Sequence, residues 1–174
     1  KDLNAYYMIG DSTNKVWKYT MGTPRDISTS SVDSGWEYDF SAQTTSGRGV
    51  IVNTTRMYIC GGSNIYYYTL STSWRPSTAT YQISISAPTG ETSLQGIWMD
   101  NNGDHLYAVG ATLDKVYHWE LSTSYDLSTA TFIDDFDISA EEGEPRGLWI
   151  NTSGRQLIVL GTDTDKCYKY TMRT

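Results

Sequence analysis

VWKYTM (Val16 to Met21), IYYYTL (Ile65 to Leu70), VYHWEL (Val116 to Leu121) and CYKYTM (Cys167 to Met172) are four versions of one phrase, starting 49, 51 and 51 residues apart. Each has a second anchor upstream, YYMIG, MYICG, LYAVG and LIVLG, ending at Gly10, Gly61, Gly110 and Gly161. A third recurs as RGVIVN from Arg48, QGIWMD from Gln95 and RGLWIN from Arg146. Self-similarity at a fixed period near 50 residues is the mark of a repeat architecture.

The repeat resolves into short strands. Gln95 to Asp100 is an apolar run of the kind buried on both faces. Asn101-Asn102-Gly103-Asp104 follows, residues that tolerate positive φ and so predict a hairpin turn. Leu106 to Gly110 is the second strand, and Val116 to Leu121 the third. In the third, Val116, His118 and Glu120 alternate with Tyr117, Trp119 and Leu121. Turn formers from Ser122 to Ala130 lead to a fourth strand from about Thr131 to Ser139. Four antiparallel strands per unit of this length predict an all-β fold, the β-propeller, in preference to a β-helix with its shorter coils. One such sheet cannot cover both its faces, and stacking it on the next copy around an axis does so. The most apolar strand should lie innermost, with Gly49, Gly96 and Gly147 allowing close approach near the axis.

The repeats run approximately 1–47, 48–94, 95–145 and a partial 146–174, one propeller segment spanning 1–174. This predicts strands two to four of one blade, two complete blades and three strands of another, about three and a half blades. Propellers have about four to eight blades, so the segment is not expected to close a ring alone. Lys1 in place of an initiator Met and an ending inside a repeat suggest a segment of a longer protein or a processed chain.

Composition narrows the function. The chain has 14 Tyr and 6 Trp, too aromatic for a disordered chain. The net charge of −7 argues against a nucleic-acid surface, which needs a basic stripe. No run of 18 apolar residues predicts a membrane span, so membrane insertion is not expected. Cys60 and Cys167 stand where other repeats carry apolar residues, which predicts two buried free thiols rather than a disulfide. No Cys/His cluster points to a metal, and no cofactor motif stands out.

The segment VYHWELSTSYDLSTAT (Val116 to Thr131), with SWRPSTAT (Ser73 to Thr80) and PRDISTSS (Pro24 to Ser31), resembles β-propeller repeats of phage virion and tail-associated proteins and of bacterial surface proteins. The resemblance covers essentially the whole chain. It departs from the pattern at Arg75-Pro76 and at Pro24-Arg25. It implies a virion, extracellular or cell-surface location and partners among other surface proteins, glycans or the remaining blades of a ring.

Candidate ligand-binding residues fall into two groups. Arg48, Gln95 and Arg146 precede the inner-strand glycines and would ring one mouth of a channel, able to hold a carboxylate, phosphate or sugar hydroxyl. The plainer reading pairs them with backbone carbonyls and the acidic loop Glu141, Glu142 and Glu144. Trp36, Trp74 and Tyr125 are aromatics outside the repeated strand positions and suit a sugar platform. Asn53, Asp100 and Asn151 recur where a tight turn begins, which explains them without a cation. Neither His105, placed in a turn, nor His118, aligned with Lys18, Tyr67 and Lys169, is required by the repeat, and no nucleophile–His–acid set is evident.

These features predict a non-enzymatic virion or cell-surface propeller acting in attachment or as a structural element. The expected contact face carries Arg48, Gln95 and Arg146 with the loops 43–47, 89–93 and 141–144. The alternatives are a lectin-like glycan binder and a propeller hydrolase or lactonase.

Overall fold

The computed structural model describes residues 4–172; the outermost residues of the first and last repeats, 1–3 and 173–174, lie outside the described residues. The chain forms four antiparallel sheets in sequence order. The first contains β1 (Ala5–Gly10), β2 (Lys15–Met21), β3 (Ser30–Val32) and β4 (Tyr38–Asp39). The second is β5 (Gly47–Val52), β6 (Arg56–Gly61), β7 (Asn64–Leu70) and β8 (Ala79–Ser86). The third is β9 (Leu94–Met99), β10 (His105–Gly110), β11 (Lys115–Leu121) and β12 (Ala130–Asp137). The fourth is β13 (Pro145–Ile150), β14 (Gln156–Gly161) and β15 (Cys167–Thr171). Each sheet meanders through neighbouring strands, and the sheets are the blades of a β-propeller.

The repeat predicts fourteen strands, and fifteen occur among the described residues. The extra one arises because the outer strand of the first blade is broken. Both β3 and β4 pair with β2, β3 at Tyr19 to Met21 and β4 at Lys15 and Val16. Between them Lys18 pairs with Asp33 at 2.8 Å, and Gly35 takes a positive φ of 77° that turns the chain. His105 opens β10 rather than sitting in the preceding turn. Single 3-10 turns precede the outer strands at Ile27–Thr29, Pro76–Thr78 and Leu127–Thr129. In two of them an aspartate closes the turn: the Ser28 and Ser128 amides each donate to Asp26 or Asp126 Oδ1 at 3.0 Å.

Alternation within each strand sends neighbouring residues to different blade interfaces. Met57, Ile59, Tyr66 and Tyr68 pack toward the first sheet with Tyr7, Ile9 and Val16. Tyr58, Cys60, Ile65 and Tyr67 pack instead with Leu106, Ala108, Tyr117 and Trp119 of the third. Val109, Val116, Leu157 and Val159 form the core between the third and fourth sheets. The innermost strands are the apolar ones, and they approach closely. A β-carbon on Gly96 would lie 3.1 Å from Gly147 Cα, and one on Gly49 3.1 Å from the Ile97 nitrogen.

The two thiols differ from expectation. Cys60 is buried in the interface between the second and third blades, and burial pushes its thiol up to about 12. Cys167 is exposed. It stands on the face of β15 turned away from the core shared with the third blade, so the apolar environment its repeat position predicts is not supplied there.

Candidate functional site

The six candidate residues occupy three separate places. Arg48, Gln95 and Arg146 share one structural device. In each inner strand the register with the next strand shifts at that residue. Gly47 and Gly49 pair with Gly61 and Cys60, skipping Arg48. Leu94 and Gly96 pair with Gly110 and Val109, skipping Gln95, and Pro145 and Gly147 pair with Gly161 and Leu160, skipping Arg146. Each residue is the extra residue of a β-bulge, a device that re-aims one side chain out of the ladder.

The re-aimed side chains form a polar network at one end of the inner strands. Arg146 Nη1 donates to Gln95 Oε1 at 3.3 Å, joining two adjacent blades, while its Nε donates to Thr162 Oγ1 at 3.2 Å. Arg146 Nη2 pairs with Glu144 at 2.7 Å. Gln95 is nearly buried and donates to Ser93 Oγ at 2.8 Å. Arg48 turns to the first blade instead, where Nη1 pairs with Asp11 at 2.8 Å. The Arg48 and Asp11 side chains are 42% and 45% exposed, so both remain open to a ligand.

Beneath this network lie two carboxylates that the sequence does not distinguish from other loop acids. Glu91 and Glu142 are 2% and 0% exposed and sit 51 residues apart. Glu91 Oε1 accepts from the Ser93 and Thr112 amides at 2.7 and 3.2 Å, and Oε2 from the Leu113 amide and Tyr117 hydroxyl at 3.2 and 3.0 Å. Glu142 repeats the pattern with the amides of Glu144, Asp163 and Thr164 and the Thr164 hydroxyl. Burial alone would raise both pKa values, but these hydrogen bonds outweigh it and hold both carboxyls below their ordinary range. The glycines ending β10 and β14 make room, since a β-carbon on Gly110 or Gly161 would collide with the carboxylate of Glu91 or Glu142. Glu91 and Glu142 thereby fasten the loop entering each inner strand to the loop between the second and third strands. They are anchors of the scaffold under the arginine network.

Trp74 and Tyr125 lie at the opposite end. They hold one repeat position, each with a positive φ, 62° and 63°, in the turn before the outer strand. Both line a cavity of about 350 Å³ with Ile51, Asn53, Met99 and Asp100. Trp36 belongs with neither group. Lys18 stands over its ring at 3.8 Å and Arg75 at 4.9 Å, so it clamps the broken outer strand of the first blade to the second. Asp100 and Asn151 serve their turns: Asp100 Oδ1 accepts from the Asp104 and His105 amides, and Asn151 Oδ1 from those of Arg155 and Gln156. Asn14, Asp114 and Asp165 all take positive φ near 52–55° in the turn before the third strand.

The fold is that of a β-propeller, and solved propellers match it. No family model matches the chain, and no curated protein matches it. The chain is similar to a protein from Lactobacillus plantarum, with 13% identity and a TM-score of 0.69 over 97% of this chain and 50% of the other. A candidate 6-phosphogluconolactonase from Bacteroides fragilis matches with 14% identity and a TM-score of 0.69, over 98% and 48% of the two chains. The periplasmic gluconolactonase of Pseudomonas aeruginosa matches with 14% identity and a TM-score of 0.62, over 98% and 47%. The chain thus spans about half the length of these structures. At such identities the likeness shows the propeller fold. The expectation of a non-enzymatic virion or surface attachment module is corrected by these matches: two of the three bear the names of lactonases, which are enzymes.

Proposed function

We propose that the chain forms part of a propeller hydrolase acting on the lactone of a sugar acid, at the axial end that carries Arg48, Gln95 and Arg146. The observation that carries this reading is the repeated bulge, which turns three polar side chains out of three successive inner strands toward one end. Fold likeness to lactonase propellers supports the choice of chemistry. In lactone hydrolysis water adds to the carbonyl carbon, the carbonyl oxygen takes negative charge, and the ring C–O bond breaks with a proton passing to the leaving oxygen. Arg48 and Arg146 supply fixed positive charge for that oxyanion or for an anionic group on the substrate. Asp11 and Glu144, held against them, are the carboxylates placed to take the proton from water. Gln95 orients Arg146 across the blade boundary.

The test is a pH-stat measurement of acid release from glucono-δ-lactone and 6-phosphogluconolactone, against the spontaneous rate. It is run on this chain and on any longer polypeptide that contains it. The expected result is release faster than background, reduced at least about tenfold by Arg48→Ala or Arg146→Ala with unchanged circular dichroism. Release at the spontaneous rate in every form would overturn the proposal.

A further inference from the structure

His105 and His118 come together across the β10–β11 ladder. They are diagonal neighbours, since His105 pairs with Glu120 and His118 with Tyr107. His105 Nδ1 lies 3.1 Å from His118 Nε2, and the other nitrogen of His118, Nδ1, lies 3.1 Å from Asp134 Oδ1 on β12. Tyr107 stacks on the His118 ring with centroids 4.4 Å apart and planes at 4°. The pair sits where two cavities between the third and fourth blades adjoin. His118 and Asp134 line one of about 480 Å³ and His105 the other of about 390 Å³, with Tyr107 and Met172 common to both.

Neither histidine is needed for the blade. The equivalents of His105 are Ala5, Arg56 and Gln156, and those of His118 are Lys18, Tyr67 and Lys169. From this arrangement we propose that His105 Nδ1 and His118 Nε2 chelate a divalent transition-metal ion, with Asp134 as the carboxylate behind His118. Zinc–imidazole bonds are about 2.0–2.1 Å, so an ion bound to two nitrogens 3.1 Å apart subtends roughly 100°. That lies between the octahedral and tetrahedral angles. A carboxylate on the far nitrogen of a ligating histidine fixes its tautomer and raises its basicity, which is the outer-shell partner such sites use. The surrounding charge favours a cation: Asp134 and Asp100 both act on the Tyr107 hydroxyl, raising its pKa along with the larger effect of burial. No group of three or more metal-ligating side chains occurs among the described residues, so the two imidazoles would be the protein ligands and solvent would have to fill the remaining positions. The site is open and is distinct from the arginine network.

The test is a Zn²⁺ titration of the chain by calorimetry, with imidazole resonances followed by NMR. One saturable equivalent that shifts both histidine rings is expected. His105→Gln and His118→Lys install residues that other repeats already carry at these positions, so both variants should fold, and each should weaken binding at least tenfold. Asp134→Asn should weaken it about 10-fold or more while keeping one equivalent, the range seen for outer-shell partners. Affinity within twofold of the parent in either histidine variant, or no saturation in the parent, would overturn the proposal.

Discussion

The Tyr58 hydroxyl donates to the backbone carbonyl of Tyr125, 67 residues away, at 2.5 Å. One repeat earlier, Tyr7 donates to the carbonyl of Trp74 at 2.7 Å across the same 67-residue separation. The donor stands on the second strand of one blade and the acceptor in the turn before the outer strand of the next. The acceptor residue takes positive φ in both cases. Burial is the largest cause raising the pKa of each phenol, Tyr7 to about 12, so both remain protonated donors. This bond ties adjacent blades at their outer parts, while the glycines do so near the axis.

Removing one such latch should cost stability without disturbing the blade. Tyr58→Phe keeps the ring, which stacks on Tyr67 with centroids 5.2 Å apart, and deletes only the donor. The expected loss is about 1–2 kcal/mol in urea unfolding, with an unchanged denaturant slope. A loss below about 0.3 kcal/mol would mean that the bond adds nothing to stability, since a typical hydrogen bond contributes more.

Glu91 and Glu142 make the fold sensitive to acid. Their carboxyls are held below the ordinary range in the folded chain, so they contribute stability above the unfolded-state pKa of about 4.3. That contribution is lost as pH falls through the folded-state value. Glu91→Gln puts an amide N–H against amide and hydroxyl donors, so it should cost about 1–3 kcal/mol at pH 7. It should also flatten the acid limb of a stability-versus-pH profile below pH 4.5. A Glu91→Gln profile parallel to the parent's would show that the carboxylate does not titrate with folding.

The propeller was legible because its determinants repeat: strand phrases, turn glycines and alternating apolar residues all keep one period. The latch tyrosines repeat too, but their acceptors are carbonyls, which carry no sequence signal. The arginine network was legible as residues and not as geometry, because a bulge is a matter of register. Glu91 and Glu142 were hidden differently. Their loop keeps one length in the repeats, but Glu141 and Glu144 lie beside one of them, and the second blade has Thr44 at that place. There the Thr44 hydroxyl accepts from the Ser46 amide at 3.1 Å, a smaller version of the same anchor. The histidine pair escaped because each residue, aligned alone, breaks the repeat; only the diagonal register brings them together.

The inner strands should not tolerate a side chain where they cross closest. Gly96→Ala places a methyl 3.1 Å from Gly147 Cα and 3.2 Å from the Arg146 carbonyl oxygen, both backbone atoms of the neighbouring inner strand. Backbone yields poorly, so the expected cost is about 1–3 kcal/mol in thermal or urea unfolding. Gly147→Ala is the control, because its nearest neighbours are Leu160 side-chain atoms at 3.6 Å or beyond. It should cost less than half as much. Equal costs at the two positions would remove close approach as the reason for the repeated glycine.

The two cysteines should report which blade faces are covered. Cys167 is exposed on β15, whereas Cys60 is fully buried with its thiol pushed up to about 12. Thiolate is the reactive species, and access limits the rest. A maleimide or disulfide reagent at pH 7.5 should therefore modify one thiol quickly, and mapping should place it at Cys167. Cys60 should react only as fast as the interface between the second and third blades opens, becoming fully reactive in denaturant. Cys167→Ser should abolish the fast phase and leave the slow one. Fast modification of both thiols in the native chain would mean that the interface holding Tyr58, Cys60 and Tyr117 is not closed in solution.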